Sequence, residues 1–362
     1  MKRYSLTLAL AFVGLFSLSS LNAQSIFDRL QTADADGIRE ITLRLPLDSI
    51  LTKTTNSQTA EIEYVLDQET GPATERRPLQ VDVRGKFRRR ICSFPPLKLN
   101  FSKKDLAASG LVKHDKLKLV THCSEAGGED LLLREFLAYR LYNQLTPQSY
   151  RVQLVRVTYE DTNGGASLTQ LGFLIEDTDE MAERIGGEEM ENLLAVAPDR
   201  LDADASTLHS LFQFAISNTD YSLELARNLK LVQLPGGKLV PVGYDFDFSA
   251  LVNAPYAVPA AELGQLAIGQ RVYLGYYVDD ATFLRAAQRV LDERKELVKL
   301  VRKFRPLPYE QRDELVIFLD RFYFELNTFL KRTDNNYYVQ LRNRYTSNVP
   351  VAGRAVNYGV GR

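Results

Sequence analysis

The apolar and polar positions of the chain fall into two regimes. Between residues 38 and 175, short stretches alternate with period two, the mark of half-buried strands. These stretches are 38–45, 61–66, 79–84, 97–101, 116–120, 151–159 and 169–175. Turn-forming clusters separate them at 54–57, 69–72 and Asn163-Gly164-Gly165. One helix interrupts the strands: residues 130–145 carry Leu133, Leu137, Leu141 and Leu145 at four-residue spacing. Arg134 falls at or inside that apolar stripe. Either it is buried against a carboxylate or phosphate, or its stem lies along the stripe with the head in water.

From 176 onward the spacing becomes helical. Residues 176–192 are acidic, broken by Gly186-Gly187, and read as a hinge or connector with a short helix. Helices are expected over 206–217, 281–303 and 309–331, the last with Pro308 at its start. The expected class is therefore α+β. A strand-rich N-lobe with one helix spans 24–175, the hinge 176–192, a helical C-lobe 193–347, and a loose tail 348–362.

Residues 1–23 have the form of a signal peptide. Lys2 and Arg3 are basic, 6–18 is mostly apolar, and Leu21-Asn22-Ala23 precedes a cut at Gln24. The apolar run is too short for a membrane span, and no Cys follows the cut to carry a lipid. The mature chain is thus expected to have no transmembrane segment and to be exported to the periplasm, the cell surface or the medium. About 340 residues remain, enough for one large domain or two lobes. With 45 Lys and Arg against 46 Asp and Glu, and no basic block, nucleic acid is not an expected partner. Cys92 and Cys123, the two cysteines of the chain, either form a disulfide or are two buried thiols. His114, His122 and His209 lack a zinc-ligand spacing.

The chemistry concentrates between 217 and 249, SNTDYSLELARNLKLVQLPGGKLVPVGYDFDFS. Two strand-like runs, 228–234 and 238–242, flank Pro235-Gly236-Gly237. A two-residue loop at Gly236-Gly237 pairs Leu234 with Leu239, Val232 with Pro241, and Asn228 with Asp245. Opposed side chains have Cβ atoms roughly 5 Å apart. An amide and a carboxylate then converge at the open end of the hairpin, with Asp247 two residues on and Asp220 within reach. Such hard oxygen ligands suit Mg²⁺ with bound phosphates, or Ca²⁺. The competing reading is a hydrogen-bonded polar plug, in which Asn228 and Asp245 cap the hairpin and Asp220 caps the segment leading to it.

The order Asn-x-Asp, then Asn on a strand, then Pro-x-x-Tyr-Asp-x-Asp after the return strand resembles the CotH kinase family, spore-coat protein H-like atypical kinases. More distantly it resembles the HipA-like kinases. Val83-Arg84-Gly85-Lys86-Phe87-Arg88 followed by residues 96–101, the helix segment 133–141, and Leu171-Gly172-Phe173-Leu174-Ile175-Glu176 resemble further family segments, in the same order, over roughly 40–250. The resemblance implies a two-lobed protein-kinase-like fold and MgATP-dependent phosphoryl transfer to an exported protein acceptor. Lys98 would hold the α- and β-phosphates and Asp220 would orient the attacking hydroxyl. Asn228 and Asp245 would hold Mg²⁺, with Asp247 assisting. Glu176 would lie at the hinge beside adenine, and Arg134 or Glu135 would face the strand lysine or the phosphates. Tyr221-Ser222 stand where the HipA-like motif has a His, and no Gly-rich loop is evident. The alternative is a non-catalytic exported structural or envelope-assembly protein that retains the fold. A glycosidase is disfavoured. Asp245 and Asp247 are spaced for it at roughly 7 Å along a strand, but the chain has no Trp to stack on a sugar.

Overall fold

The computed structural model describes residues 24–346, apart from 54–55, 69–70, 125–126, 192 and 194. The expected signal peptide, 1–23, and the expected tail, 348–362, lie outside the described residues. Among the described residues ten strands form: β1 (Arg39–Leu45), β2 (Gln58–Gln68), β3 (Gly71–Val83), β4 (Leu97–Phe101), β5 (Lys116–Val120), β6 (Val152–Asp161), β7 (Leu168–Ile175), β8 (Glu188–Glu189), β9 (Leu229–Gln233) and β10 (Leu239–Gly243). The helices in the first half are α1 (Ile26–Leu30), α2 (Leu47–Leu51), α3 (Arg88–Ile91), α4 (Lys103–Ala108) and α5 (Gly128–Leu145). Those in the second half are α6 (Thr178–Arg184), α7 (Ala203–Ala215), α8 (Asp280–Asp292), α9 (Arg294–Lys303), α10 (Tyr309–Arg332) and α11 (Tyr337–Thr346).

Every strand expected between 38 and 175 is present. Alternation decides which face is buried: Ile41, Leu43 and Leu45 of β1, Leu97, Leu99 and Phe101 of β4, and Leu117 and Leu119 of β5 all point inward. The seven strands close into a barrel in the order β1-β2-β3-β4-β5-β7-β6. Closure comes from a parallel pairing of β1 with β6, Arg39 opposite Val155 through Leu45 opposite Asp161. The other neighbours are antiparallel.

This closure overturns the expected two-lobed protein-kinase-like fold. An open sheet keeps two edges; here the parallel β1–β6 seam consumes both. Nor is the apolar core divided between two lobes. One continuous core joins Val152, Leu171 and Phe173 of the barrel wall to α5, α7, α8 and α10. Helix α5 lies at its centre, where Phe136 packs between Phe173 at 5.8 Å and Phe304 at 5.7 Å. A second core fills the barrel itself, plugged by Ile26, Phe27 and Leu30 of α1.

Two local expectations also change. The helix expected over 281–303 breaks at Glu293 into α8 and α9. The β9–β10 register is shifted by one residue: Gln233 faces Leu239, Val232 faces Val240, and Leu229 faces Gly243. The loop has three residues because Pro235 has no N–H with which to close a two-residue turn. Leu234 donates to the Lys238 carbonyl instead, at 3.0 Å. Asn228 consequently faces Tyr244, whose N–H donates to the Asn228 carbonyl at 3.0 Å, and not Asp245.

Cys92 and Cys123 form a disulfide, with Cα atoms 4.5 Å apart. It ties the end of α3 to the segment leading into α5. Gly128, at the start of α5, admits no side chain, since a Cβ there would stand 1.9 Å from the His122 carbonyl oxygen. Among the described residues, no helix is long and apolar enough to cross a membrane.

Candidate functional site

Three chain segments meet beside α5: the turn after β3, the loop after α7, and the open end of the β9–β10 hairpin. A one-residue register shift normally reverses every side chain of a strand. Here it does not remove Asp245 from the site, because β10 ends at Gly243 and Asp245 adopts a left-handed conformation with φ 63°. That conformation re-aims its carboxylate. Asn228, Ser217 and Ala226 are left-handed too, with φ 53°, 52° and 47°. Such clustering of strained non-glycine residues is commonest at functional sites. The Asp245 N–H donates to the Tyr139 hydroxyl of α5 at 2.9 Å, which fixes the turn.

Asp220 is held from behind. Its N–H donates to Asn218 Oδ1 at 3.0 Å, and Asn218 Nδ2 donates to Gln213 Oε1 at 2.9 Å. Gln213 Nε2 then reaches His209 Nε2 at 3.4 Å, and His209 Nδ1 contacts the Tyr142 hydroxyl at 3.0 Å. Burial lowers the His209 pKa to about 3, so the ring is neutral. In front, Asn228 Nδ2 donates to Asp220 Oδ2 at 2.8 Å and to its carbonyl at 2.6 Å. Partial burial raises the Asp220 carboxyl, partly offset by Arg227, whose Nε is 3.6 Å away.

The floor is an ionic cluster around Arg88. Its Nε donates to Asp247 Oδ2 at 3.0 Å, its Nη2 donates to Glu135 Oε2 at 2.5 Å, and Asp245 Oδ1 lies 4.0 Å off. Tyr256 also donates to Asp247, at 2.9 Å. One guanidinium thus faces three carboxylates. Burial, with Asp247 and Asp245 nearby, raises the Glu135 carboxyl despite Arg88. Asp245 is raised as well, by its recessed position and by Asp247.

Above this floor opens a cavity of about 490 Å³, lined by Asp220, Asn228, Asp245 and Asp247 and also by Arg84, Lys86 and Arg227. Arg84 also lines an adjoining recess of about 160 Å³ that holds Lys98, Lys118 and Glu176. Asp177, Asp179, Glu189 and Glu191 line it too, and of its acids Glu176 and Glu189 are engaged in ion pairs. Glu176 pairs with Arg151 at 2.7 Å and Arg184 at 2.6 Å, and Glu189 pairs with Lys230 at 2.5 Å. Among the described residues, Arg84, Lys98 and Lys118 have no carboxylate within ion-pair distance. Lys118 Nζ donates to Thr178 Oγ1 at 3.3 Å and lies 4.9 Å and 5.2 Å from the rings of Tyr150 and Tyr244. Burial, then Arg84 and Lys230, lower its pKa to about 7.

Of the residues expected from sequence, Asp220, Asn228, Asp245, Asp247 and Glu135 come together. Lys98 and Glu176 lie in the adjoining recess. Arg134 is elsewhere: it bonds Gln311 at 3.1 Å and Glu314 at 2.9 Å of α10, so it found a carboxylate partner rather than a phosphate. Arg84, Arg88 and Lys118 had no assigned role. Arg88 sits in the run Arg88-Arg89-Arg90, and three consecutive residues on one helical turn point about 100° apart. If that turn packs at all, one arginine faces inward, which is the signal available in the sequence.

Among the described residues, no three His, Cys, Asp or Glu side chains are placed to hold a metal by themselves. Asp245, 46 % exposed, Asp220, 34 % exposed, and Asn228 do fit the smaller protein share that Mg²⁺ takes when phosphates complete its shell. Asp247 is already committed to Arg88 and Tyr256. No protein-family model matches the chain, and no curated protein is similar to it.

Proposed function

We propose that the cleft binds a nucleoside triphosphate with Mg²⁺ and transfers a phosphoryl group to an acceptor hydroxyl. This chemistry is placed on a barrel-based scaffold, since fold does not fix function. The observation that carries the reading is an acidic cleft that adjoins, through Arg84, a recess holding Lys98 and Lys118. Carboxylates and an amide of the cleft match a divalent cation, and Arg84 and Lys98, with Lys118 when protonated, match phosphates. Mg²⁺, when bound, would neutralise the phosphate oxygens.

Asp220 accepts the proton of the acceptor hydroxyl. Its raised carboxyl and partial exposure suit a group that must take up a proton and then release it. The chain from Asn218 to Tyr142 holds it in place. Asn228 and Asp245 would hold the cation, and Arg88 offsets part of the negative charge of Glu135 and Asp247. The hydroxyl oxygen forms a bond to the terminal phosphorus as the bond to the leaving diphosphate breaks. The ordered motifs that resemble those of the CotH kinase family are in keeping with this reading, with an exported protein as acceptor. Export itself is proposed from residues 1–23, and the Cys92–Cys123 disulfide agrees with an oxidising compartment.

One observation favours the non-catalytic alternative. Asn228 is already bonded to Asp220, and Asp247 to Arg88, as in a closed polar plug. Thermal unfolding with and without MgATP separates the two. Ligand at about 100 times its Kd adds roughly 2.7 kcal/mol. The transfer reading expects a stabilisation that needs both Mg²⁺ and nucleotide and is lost in Asp245→Asn. No shift at millimolar MgATP would leave the plug.

A further inference from the structure

A groove of about 720 Å³ runs along α9, bounded by the end of α8 and by Asp320 of α10. Arg294, Lys295, Lys299, Arg302 and Lys303 line it, against the carboxylates Asp292 and Asp320. Helical spacing builds this surface. Lys295, Val298, Lys299 and Arg302 recur at i, i+3, i+4 and i+7, so they share one face of α9. Leu297 and Val301, on the opposite face, are buried in the core. The chain as a whole is balanced, with 45 Lys and Arg against 46 Asp and Glu, so the excess of cations here is local.

The nearby acids already have partners. Asp320 accepts from Arg294 at 2.8 Å, and Asp292 accepts from Gln288 at 2.7 Å. Glu296 pairs with Lys299 at 2.6 Å. That hydrogen bond, with Lys295 and Lys303 nearby, holds the Glu296 carboxyl below its ordinary range. Among the described residues, Lys295, Arg302 and Lys303 have no carboxylate within ion-pair distance. The backbone beneath them is fixed. Phe304, just past α9, stacks on Phe136 of α5 at 5.7 Å, and Arg312 of α10 donates to the Arg302 carbonyl.

Ile317 and Phe324 of α10 stand one turn before and one turn after Asp320, so they flank the groove on that side. Both are exposed, Phe324 at 75 % and Ile317 at 45 %. Asp313, a turn before Ile317, adds a negative charge, and the exposed Arg321 offsets it. An acidic polymer would use the cations alone and leave the two apolar side chains in water. A lipid headgroup layer takes both: phosphates meet the cations, and an aromatic ring settles at headgroup level.

We infer that the α9–α10 face docks peripherally on an anionic lipid surface, with Lys295, Lys299, Arg302 and Lys303 at the headgroup phosphates and Ile317 and Phe324 beside them. Each such cation contributes about fivefold in affinity. The inference goes beyond phosphoryl transfer and uses no residue of the cleft.

Vesicle co-sedimentation of Gln24–Arg362, without nucleotide or Mg²⁺, tests it. This is the chain left by the expected cut, and it lacks the apolar residues 6–18, which would bind lipid by themselves. The probes are vesicles of phosphatidylcholine alone, vesicles of phosphatidylcholine and phosphatidylglycerol at about 2:1, and soluble poly-aspartate. The anionic vesicles should bind about tenfold or more tightly than the neutral ones, and raising NaCl from about 0.05 M to about 0.5 M should remove most of the difference. Joint replacement Lys295→Gln, Arg302→Gln and Lys303→Gln should weaken binding to anionic vesicles about tenfold or more. Phe324→Trp gives the chain its single Trp, whose emission should shift to the blue on anionic vesicles and not on poly-aspartate. Circular dichroism checks folding, and if the triple variant is not folded, Lys295→Gln alone decides, with a loss of about fivefold. Equal binding to both vesicle types, no binding to either, undiminished binding of the folded variant, or an unshifted Trp overturns the assignment. Binding to poly-aspartate without binding to vesicles overturns it in favour of an acidic polymer. A negative result here leaves the phosphoryl-transfer reading standing, and a missing MgATP shift leaves this face standing.

Discussion

Arg88→Met isolates the ionic cluster at the floor of the cleft. The guanidinium is 11 % exposed, and the carboxylates it holds, Glu135 and Asp247, are 3 % and 5 % exposed. Removing one partner of a buried pair leaves the other charge unsolvated, at a cost of about 3–5 kcal/mol. The acids recover part of this by taking up a proton, which gives the effect a pH signature. Glu135 already has its carboxyl raised in the folded state above its ordinary value, and losing Arg88 raises it further. A carboxyl whose folded pKa exceeds its unfolded pKa binds more protons when folded, so stability falls as pH rises through that window. The variant should therefore be close to wild type at pH 5 and most deficient at pH 8. Urea unfolding followed by far-UV circular dichroism or Tyr fluorescence measures it, the chain having no Trp. Adding Glu135→Gln to Arg88→Met should restore at least half of the loss at pH 8. A cost under about 1 kcal/mol, typical of solvated pairs, or an equal cost at pH 5 and pH 8, would refute the buried-cluster reasoning.

Other expectations follow from the same structure. Replacing Cys92 and Cys123 by Ser opens a loop closed over a separation of 31 residues and should cost about 3–4 kcal/mol in urea unfolding; a loss below about 1 kcal/mol would contradict the tether. Lys118 is lowered to about 7 from 10.5, so the unfolded state binds more protons between those values and stability gains with rising pH there. Lys118→Met should stabilise the protein below pH 7 and abolish that gain; an unchanged slope between pH 7 and pH 10 sinks the assignment. His209, lowered from 6.5 to about 3, contributes a loss of stability as pH falls below 6.5. Its ring resonances should stay flat from pH 8 to pH 5, and a titration near pH 6 would show that the buried chain behind Asp220 is open. Gly128→Ala should destabilise by about 1–3 kcal/mol through the clash with the His122 carbonyl, read from the urea midpoint.

The strands were legible because alternation is local: Leu97-Lys98-Leu99-Asn100-Phe101 states its own buried face. Closure was not legible, because nothing in Arg39–Leu45 specifies that Val155 and its neighbours will lie beside it in parallel. The break at Glu293 was missed for a similar reason. No Gly or Pro marks it, and the turn is imposed by packing of α8 and α9 on different neighbours. In the site, the acidic residues were legible as polar groups next to apolar runs, yet the pairing used to join Asn228 to Asp245 was off by one residue. Pro235 held the correction, since a residue without an N–H cannot close a two-residue loop. Asp245 stayed in the site through its left-handed backbone, which strand periodicity does not encode. Arg88 was hidden by its neighbours Arg89 and Arg90, which make a buried guanidinium look like part of a solvated basic run.

The parallel seam also sets a timetable. β1 is synthesised early, but the strand that closes the barrel against it begins about 113 residues later, at Val152. At roughly 5–20 residues per second, one edge of β1 waits on the order of 6–20 s after emerging before its partner exists. During that time it presents unpaired N–H and C=O groups next to Ile41 and Leu43, a template for pairing with another chain. Non-local pairing of this kind is intrinsically slow to form. The barrel is therefore a structure that the segment preceding β6 cannot complete alone. Truncation anywhere before β6 should give chains that aggregate rather than fold, and any factor that shields an exposed strand edge would act most usefully on this protein before residue 152 has been made.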